Sequence, residues 1–395
     1  MGWKSFSQLF NPTREVSISD MAGMTIAIDA MTEIYRGALA TKSVGALTDK
    51  TGKPTIHISV VISTIMEFMN NNVKQIWVFD HNQVPNTEFH NIAKMHELTK
   101  RKVKKDNAIK SLKEMDEVLP EKNISNLKQE ADKSDDSDDS DIEREVFKQR
   151  DITDLKIKKR QTLEKQAFTV SAEMIADVKY ILKCLHIDYM EAPKGFEGEG
   201  IASYLNKTGV VDAVFSGDTD SIAYGAKTLF RRVPIKKAIY EYTFDDIIEQ
   251  VKEKNDDIET YDINLLIKCA LIMGTDFCEK TPRVGPGTVL KKIEYIELTN
   301  AQEKAFYEFT KVPDMDNIIK SSIDESYTRD TLIRWLVEER QFNAERISKK
   351  LTLDIKETPK ETPKEKSKPV SKTSSKSKSP DKNPGVVRRK IIARK

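Results

Sequence analysis

The sequence predicts an α/β protein built on a mostly parallel central sheet flanked by helices. Three observations carry that prediction. Short apolar runs alternate with stretches of helical spacing, in the first hundred residues and again from Ala172. The apolar runs end on carboxylates. A highly charged stretch separates the two α/β portions.

Taken in order, TIAIDA (25–30) reads as a short buried strand and QIWVFD (75–80) as a second. Residues 56–69 between them have helical apolar spacing, which makes a βαβ-like unit. Asp29 and Asp80 then fall at the carboxyl ends of neighbouring strands, where open α/β sheets place their ligands. From about 86 to 169 Lys, Arg and acids dominate and aromatics almost vanish. The flanks of that stretch, around 100–115 and 147–168, read as charged helices. The acidic run SDDSDDSD (134–141) reads as a disordered, solvated spacer. The α/β pattern resumes with a helix through 185, a strand near 187–190, a helix from about 200 and a strand at 212–218. Residues 245–353 read as mostly helical, and the last forty as a disordered basic tail. The expected divisions are 1–96, 97–169, 170–353 and 354–395.

The 395 residues allow one large domain or two smaller ones. Lys and Arg (65) nearly balance Asp and Glu (63), but the balance is uneven along the chain. Residues 356–395 hold 14 basic against 4 acidic residues, so the remainder is net acidic. Three cysteines in apolar contexts, without C-x-x-C spacing, argue for reduced thiols inside the cell. No run of about 18 apolar residues exists, so no membrane span is expected. The start MGWKSF is not a secretory signal, and Phe6 stands where a myristoylation signal wants Ser or Thr.

Seven carboxylates carry the chemistry: Asp29, Asp80, Glu197, Glu199, Asp218, Asp220 and Asp276. Mg²⁺ takes oxygen ligands, keeps several waters, and uses one or two carboxylates together with substrate phosphates. Clustered acids with no such cation would repel one another. Asp218-Thr219-Asp220 alone is most often a solvated turn, and Glu197-Gly198-Glu199 alone is as readily an exposed loop. Alongside Asp29, Asp80 and Asp276 the balance shifts to metal binding. Asp276 lies in GTDFCEKTPRVGPGTVLKKI, where Gly285, Pro286 and Gly287 predict a tight turn between helices. Its backbone N–H groups, with Lys291 and Lys292 beyond, suit a phosphate backbone. The five histidines show no metal spacing, and neither a serine-nucleophile motif nor a Walker phosphate loop is present. Metal-assisted phosphodiester chemistry is what remains.

These blocks resemble, in order, those of the flap endonuclease (XPG-type) structure-specific nucleases. The resemblance rests on MGWKSFSQLF, IAIDA, VFDH, EAPKGFEGEG, SGDTDSIAYG, LIMGTDFCEKTPRVGP and TLIRWLVEERQFNAERI. It covers about 1–96 and 155–353. It implies a PIN-like nuclease core, a helical arch carrying a long insertion, and a C-terminal helix–two-turn–helix region. It also implies two Mg²⁺ ions, replaceable by Mn²⁺, among the seven acids. Gly2 and Tyr35 would contact or stack on the nucleotide. Gly285 and Gly287, with Lys291 and Lys292, would hold duplex backbone, with a K⁺ ion at the turn's carbonyls.

The expected activity is 5′ flap endonuclease and 5′→3′ exonuclease on branched or flapped DNA, in replication, repair or recombination. A monomer is expected, without a sliding-clamp motif, in the nucleus or, for a viral protein, at the site of viral DNA replication. Three departures stand out. The family has a Lys and an Arg two helical turns apart at the arch base. Counting from Asp80 without gaps gives Thr87 and Lys94, and one gap gives Glu88 and Met95, which leaves at least one cation absent and Lys94 as the catalytic candidate. The Glu197–Glu199 pair follows a glycine-containing turn where the family has a compact helix start. The arch carries an extra acidic stretch. The rival readings are a DNA-junction scaffold with little catalysis and a PIN-like RNA nuclease.

Overall fold

Apolar side chains alternate along TIAID and QIWVF so that both faces of each strand are buried, the pattern of strands inside a parallel sheet. The computed structural model describes residues 3–39, 48–49, 51–81, 92–118, 140–233, 237–315, 319–320 and 325–352. Excepted are the side chains at 92–94, 96–97, 116–118, 140–153 and 319–320. Gly2, most of the acidic run and the basic tail lie outside the described residues.

Among the described residues the strands are β1 (Arg14–Val16), β2 (Thr25–Asp29), β3 (Lys74–Phe79), β4 (Asp188–Glu191), β5 (Ala213–Phe215), β6 (Thr228–Val233), β7 (Ala238–Thr243) and β8 (Ile319–Lys320). They form one sheet in the order β1-β7-β6-β5-β2-β3-β4-β8. The five central strands, β6 to β4, pair in parallel. At the edges β7, β1 and β8 pair antiparallel. The outermost strands are only three and two residues long, which leaves little edge for another chain to extend.

The sheet separates two apolar layers. Ile26, Ile28, Trp77, Phe79 and Phe215 face one side. There they meet α3 (Ile56–Asn70) and α6 (Ala172–Cys184) through Ile58, Val61, Ile65, Val178 and Leu182. Ala27, Val78 and Val214 face the other side. They meet α7 (Gly198–Lys207), α8 (Asp220–Ala223) and α10 (Ile263–Met273) through Ile201, Leu205, Ile222 and Leu271. The remaining helices are α1 (Phe6–Leu9), α2 (Ala30–Leu39), α4 (Ile92–Val118), α5 (Ser140–Ala167), α9 (Phe244–Lys254), α11 (Pro286–Lys292), α12 (Asn300–Thr310), α13 (Arg329–Glu338) and α14 (Ala344–Leu351).

The expected βαβ unit is present with its strands paired in parallel, but two helices, α2 and α3, fill the connection. The charged helices α4 and α5 pack on each other and are longer than expected. The β6–β7 hairpin was not foreseen, although TLFRRV and AIYEYT are rich in β-branched and aromatic residues. The three cysteines are buried and unlinked.

One expectation is overturned. The departure expected at EGEG is absent: Glu197 is the N-cap of α7, and Gly198 opens the helix. The pair therefore sits at a compact helix start after all. The strand-like backbone of the cap residue, followed at once by helical Gly198, is what a helix entry requires.

Candidate active site

Four neighbouring parallel strands end on the same side of the sheet, and acids follow each. Asp29 ends β2 and Asp80 follows β3; the cap of α7 beyond β4 brings Glu197 and Glu199; Asp218 and Asp220 follow β5.

Local donors hold these carboxylates. Asp29 Oδ2 accepts from the Ser216 hydroxyl at 2.9 Å and from the Thr32 hydroxyl, and Oδ1 accepts from the Thr32 N–H at 3.1 Å. Burial lifts Asp29 to about 6, with the Thr32 hydroxyl working against that shift and the charge of Asp80 adding to it. Asp80 itself is exposed, and its Oδ1 accepts from the Gly198 N–H at 2.7 Å. A Cβ on Gly198 would lie 3.1 Å from Asp80 Oδ1 and from the Phe79 carbonyl carbon, so glycine permits this approach. Glu199 Oε1 accepts from the Ser221 N–H at 2.7 Å and hydroxyl at 2.5 Å. Burial, then the charges of Asp218, Asp220 and Asp29, push Glu199 well above the carboxylate range. Asp218 is also raised, first by burial and further by Asp276. Asp276, after α10, accepts from Arg101 Nη2 at 2.7 Å. Glu197 Oε2 accepts from the Tyr224 hydroxyl at 3.2 Å. Burial and the acids Asp220 and Glu199 raise that phenol well above its ordinary value.

Six acids thus share one electrostatic field, from Asp80 through Asp29 and Glu199 to Asp218, Asp220 and Asp276, and Tyr224 joins Glu197 to it. Among the described residues no three His, Cys, Asp or Glu side chains close into a ready-made cage for an ion. An open set of oxygen donors is what Mg²⁺ uses, since water and substrate phosphate complete its shell. The elevated Asp29 and Glu199, one buried and one half-buried, are acids that a cation would neutralise. The donor set fits a hard divalent ion.

The chain matches the XPG N-terminal domain over residues 1–108 and the XPG I-region over 186–276. It belongs to the XPG family. Several relatives carry the name flap endonuclease 1, and two of them illustrate the match. That of Nanoarchaeum equitans is 27% identical over 364 residues, 88% of this chain and 93% of that one. That of Methanocaldococcus jannaschii is 26% identical over 357 residues, 86% and 91% of the two chains. Solved structures share the fold. Flap endonuclease-1 from Methanococcus jannaschii has a TM-score of 0.58 at 21% identity, over 88% of this chain and 96% of its own. The catalytic core of Rad2 in complex with DNA substrate gives 0.56 at 16% identity, over 89% and 99%. The PIN-like nuclease core expected of this XPG-family protein is present.

The other anticipated residues are distributed as follows. Lys94 lies in α4, its side chain outside the described ones, and Gly2 is outside them entirely. Tyr35 on α2 meets Phe168, just past α5, edge-on at 6.0 Å. The tight turn expected over Gly285, Pro286 and Gly287 is instead a helix start. Gly285 is the N-cap of α11, Pro286 opens it as proline at a first helical position commonly does, and Gly287 lies inside it. A Cβ at either would meet nothing within 4 Å, so the fold does not require these glycines and the space outside them is open. Gly285 has an ordinary extended φ of −122°; the left-handed residue nearby is Arg283, at 62°. Lys291 and Lys292 are exposed in the last turn of α11.

Sequence reasoning missed Arg101. It follows Lys94 by seven residues, two helical turns, which is the spacing of the family's arch cations. Counting from Asp80 concealed it, and its ion pair with Asp276 brings a cation to the acid cluster. Thr32, Ser216, Ser221 and Tyr224 were missed too, because hydroxyls that orient acids carry no pattern of their own.

Proposed function

We propose that this XPG-family protein is a structure-specific 5′ flap endonuclease with 5′→3′ exonuclease activity, hydrolysing DNA phosphodiesters with the help of divalent cations. The observation that carries the reading is the convergence of six carboxylates beyond the ends of four adjacent parallel strands, with Arg101 reaching Asp276 from the arch helix α4. Asp29, Asp80, Glu197, Glu199, Asp218, Asp220 and Asp276 would hold two Mg²⁺ or Mn²⁺ ions. Such ions lower the pKa of bound water and offset charge on the attacking and leaving oxygens. Thr32 and Ser216 orient Asp29, and Ser221 orients Glu199. Arg101, with Lys94 two turns earlier, supplies positive charge toward the scissile phosphate. Gly2 and Tyr35 would meet the nucleotide. The open face at Gly285 and Gly287, with Lys291 and Lys292, would follow duplex backbone, and main-chain carbonyls at the start of α11 would hold a K⁺ ion. Substrate choice follows shape: a single strand passing the arch and a duplex at the start of α11. The protein is expected to act as a monomer.

The junction-scaffold reading was motivated by an absent arch cation, and Arg101 removes that motive. The test is Mg²⁺-dependent cleavage of a labelled 5′-flap duplex, with a matched RNA flap, a metal-free control and Asp218→Ala alongside. Cleavage near the flap base, lost without metal and reduced at least 100-fold in Asp218→Ala, is expected. Tight, salt-sensitive binding of the flap with no cleavage by the intact protein would overturn it.

A further inference from the structure

The loop that presents Glu197 is clamped from two directions. From one side comes Tyr224, the residue that ends α8, whose hydroxyl donates to Glu197 Oε2 at 3.2 Å. The helix that Tyr224 closes begins at Asp220, so one short segment carries an acid of the site and a donor to another acid. The Tyr224 ring fits because residue 200 is glycine: a Cβ there would lie 3.2 Å from the ring edge. Its other face packs on Phe309 with centroids 4.8 Å apart, and Phe309 meets Phe277, the neighbour of Asp276, at 5.4 Å. From the second side, Lys311 Nζ donates to the Gly195 carbonyl at 2.5 Å and pairs with Glu308. The same ammonium stands 4.9 Å from the Phe196 ring centroid. Residues 195–197 are therefore held by the end of α12, and the carboxylate of Glu197 by a phenol.

We propose that Tyr224 is a positioning residue for Glu197, and that this hydroxyl sets how tightly the acid cluster holds a divalent cation. The inference rests on the metal-dependent reading above. The ring's contacts with Gly200 and Phe309 are structural and survive in phenylalanine, so the hydroxyl alone bears on the carboxylate. A donor at that oxygen selects one rotamer of a flexible side chain and so fixes where the carboxylate stands. Outer partners of this kind typically change metal affinity by 10–100-fold. Tyr224 makes no contact with the reacting phosphate in this scheme. Its effect is on metal occupancy and not on the chemical step.

The experiment compares the full chain with Tyr224→Phe. Mn²⁺ binding is read from loss of the free-ion paramagnetic resonance signal, and the Mg²⁺ concentration for half-maximal flap cleavage is read separately. The metal-free melting temperature of each protein controls for folding. The expected result is about a tenfold weaker Mn²⁺ affinity and a similar rise in the Mg²⁺ midpoint, with a much smaller fall in rate at saturating Mg²⁺. The metal-free melting temperature should hold or rise. In a Glu197→Gln background, Tyr224→Phe should add little further loss of Mn²⁺ affinity. An unchanged Mn²⁺ affinity in Tyr224→Phe, or an undiminished effect in the Glu197→Gln background, overturns the proposal. Failure of the metal reading shows earlier and differently: the unaltered protein would bind no Mn²⁺ at all.

Discussion

Gly198 has no side chain, yet substituting it would disturb two acids at once. Its N–H donates to Asp80, and a methyl group there would press on the Phe79 carbonyl carbon at 3.1 Å and the Asp80 nitrogen at 3.2 Å. Those are backbone atoms of a central strand's end and cannot turn aside. Gly198→Ala should therefore cost about 1–2 kcal/mol of stability, in the range of overpacking a tight site. It should also raise the Mg²⁺ requirement for cleavage by shifting Asp80. Chemical denaturation and a Mg²⁺ titration check the two effects, and unchanged values in both would refute the packing argument. At this scale the sequence was legible where an acid ended an apolar run, as at Asp29 and Asp80. It was not legible at Ser216 or Tyr224, whose roles exist only once β5 and α8 bring them beside acids that are distant along the chain.

The helices of the C-terminal half separate fold from contact. Gly287 sits inside α11 with open space where a Cβ would go, so its cost to the helix is uncompensated within the protein. Gly287→Ala should stabilise the fold by up to about 1 kcal/mol, the helix-propensity difference. If duplex backbone approaches there, the same change should weaken binding of a flap duplex several-fold while leaving single-strand binding unaffected. Thermal unfolding and fluorescence anisotropy read the two. A stabilised protein with unaltered duplex affinity would remove α11 from the DNA surface. The elements themselves were legible wherever periodicity was strong, as in α3 and α6. The edge strands β1 and β8 were not, since two or three residues cannot display a period. Arg101 was not legible either, since only the packing of α4 brings it beside Asp276.

For the whole molecule, the acid cluster makes stability depend on pH in an uncommon direction. Asp29 is lifted from 3.8 to about 6, so between those values the folded chain keeps a proton that the unfolded chain has released. The stabilisation is complete below about pH 4 and is lost as pH rises through 6. It amounts to at most about 3 kcal/mol from this group alone, at 1.36 kcal/mol per pH unit. Glu199 and Asp218, raised in the same direction, extend the trend. Metal-free protein should melt at a lower temperature at pH 7.5 than at pH 5, and Mg²⁺ should raise the melting temperature more at pH 7.5. Calorimetry at both pH values checks this, and a metal-free melting temperature that climbs with pH would contradict it.

The sheet's two apolar layers give that instability an evolutionary meaning. The rim acids belong to neither layer, so losing one leaves the packing intact and relieves repulsion. Selection for folding alone would favour relief of that repulsion, set against the hydrogen bonds that hold Asp29, Asp80 and Glu199. The divalent ions proposed for the site would offset that slope, so folding and the proposed reaction make opposite demands on the same seven side chains.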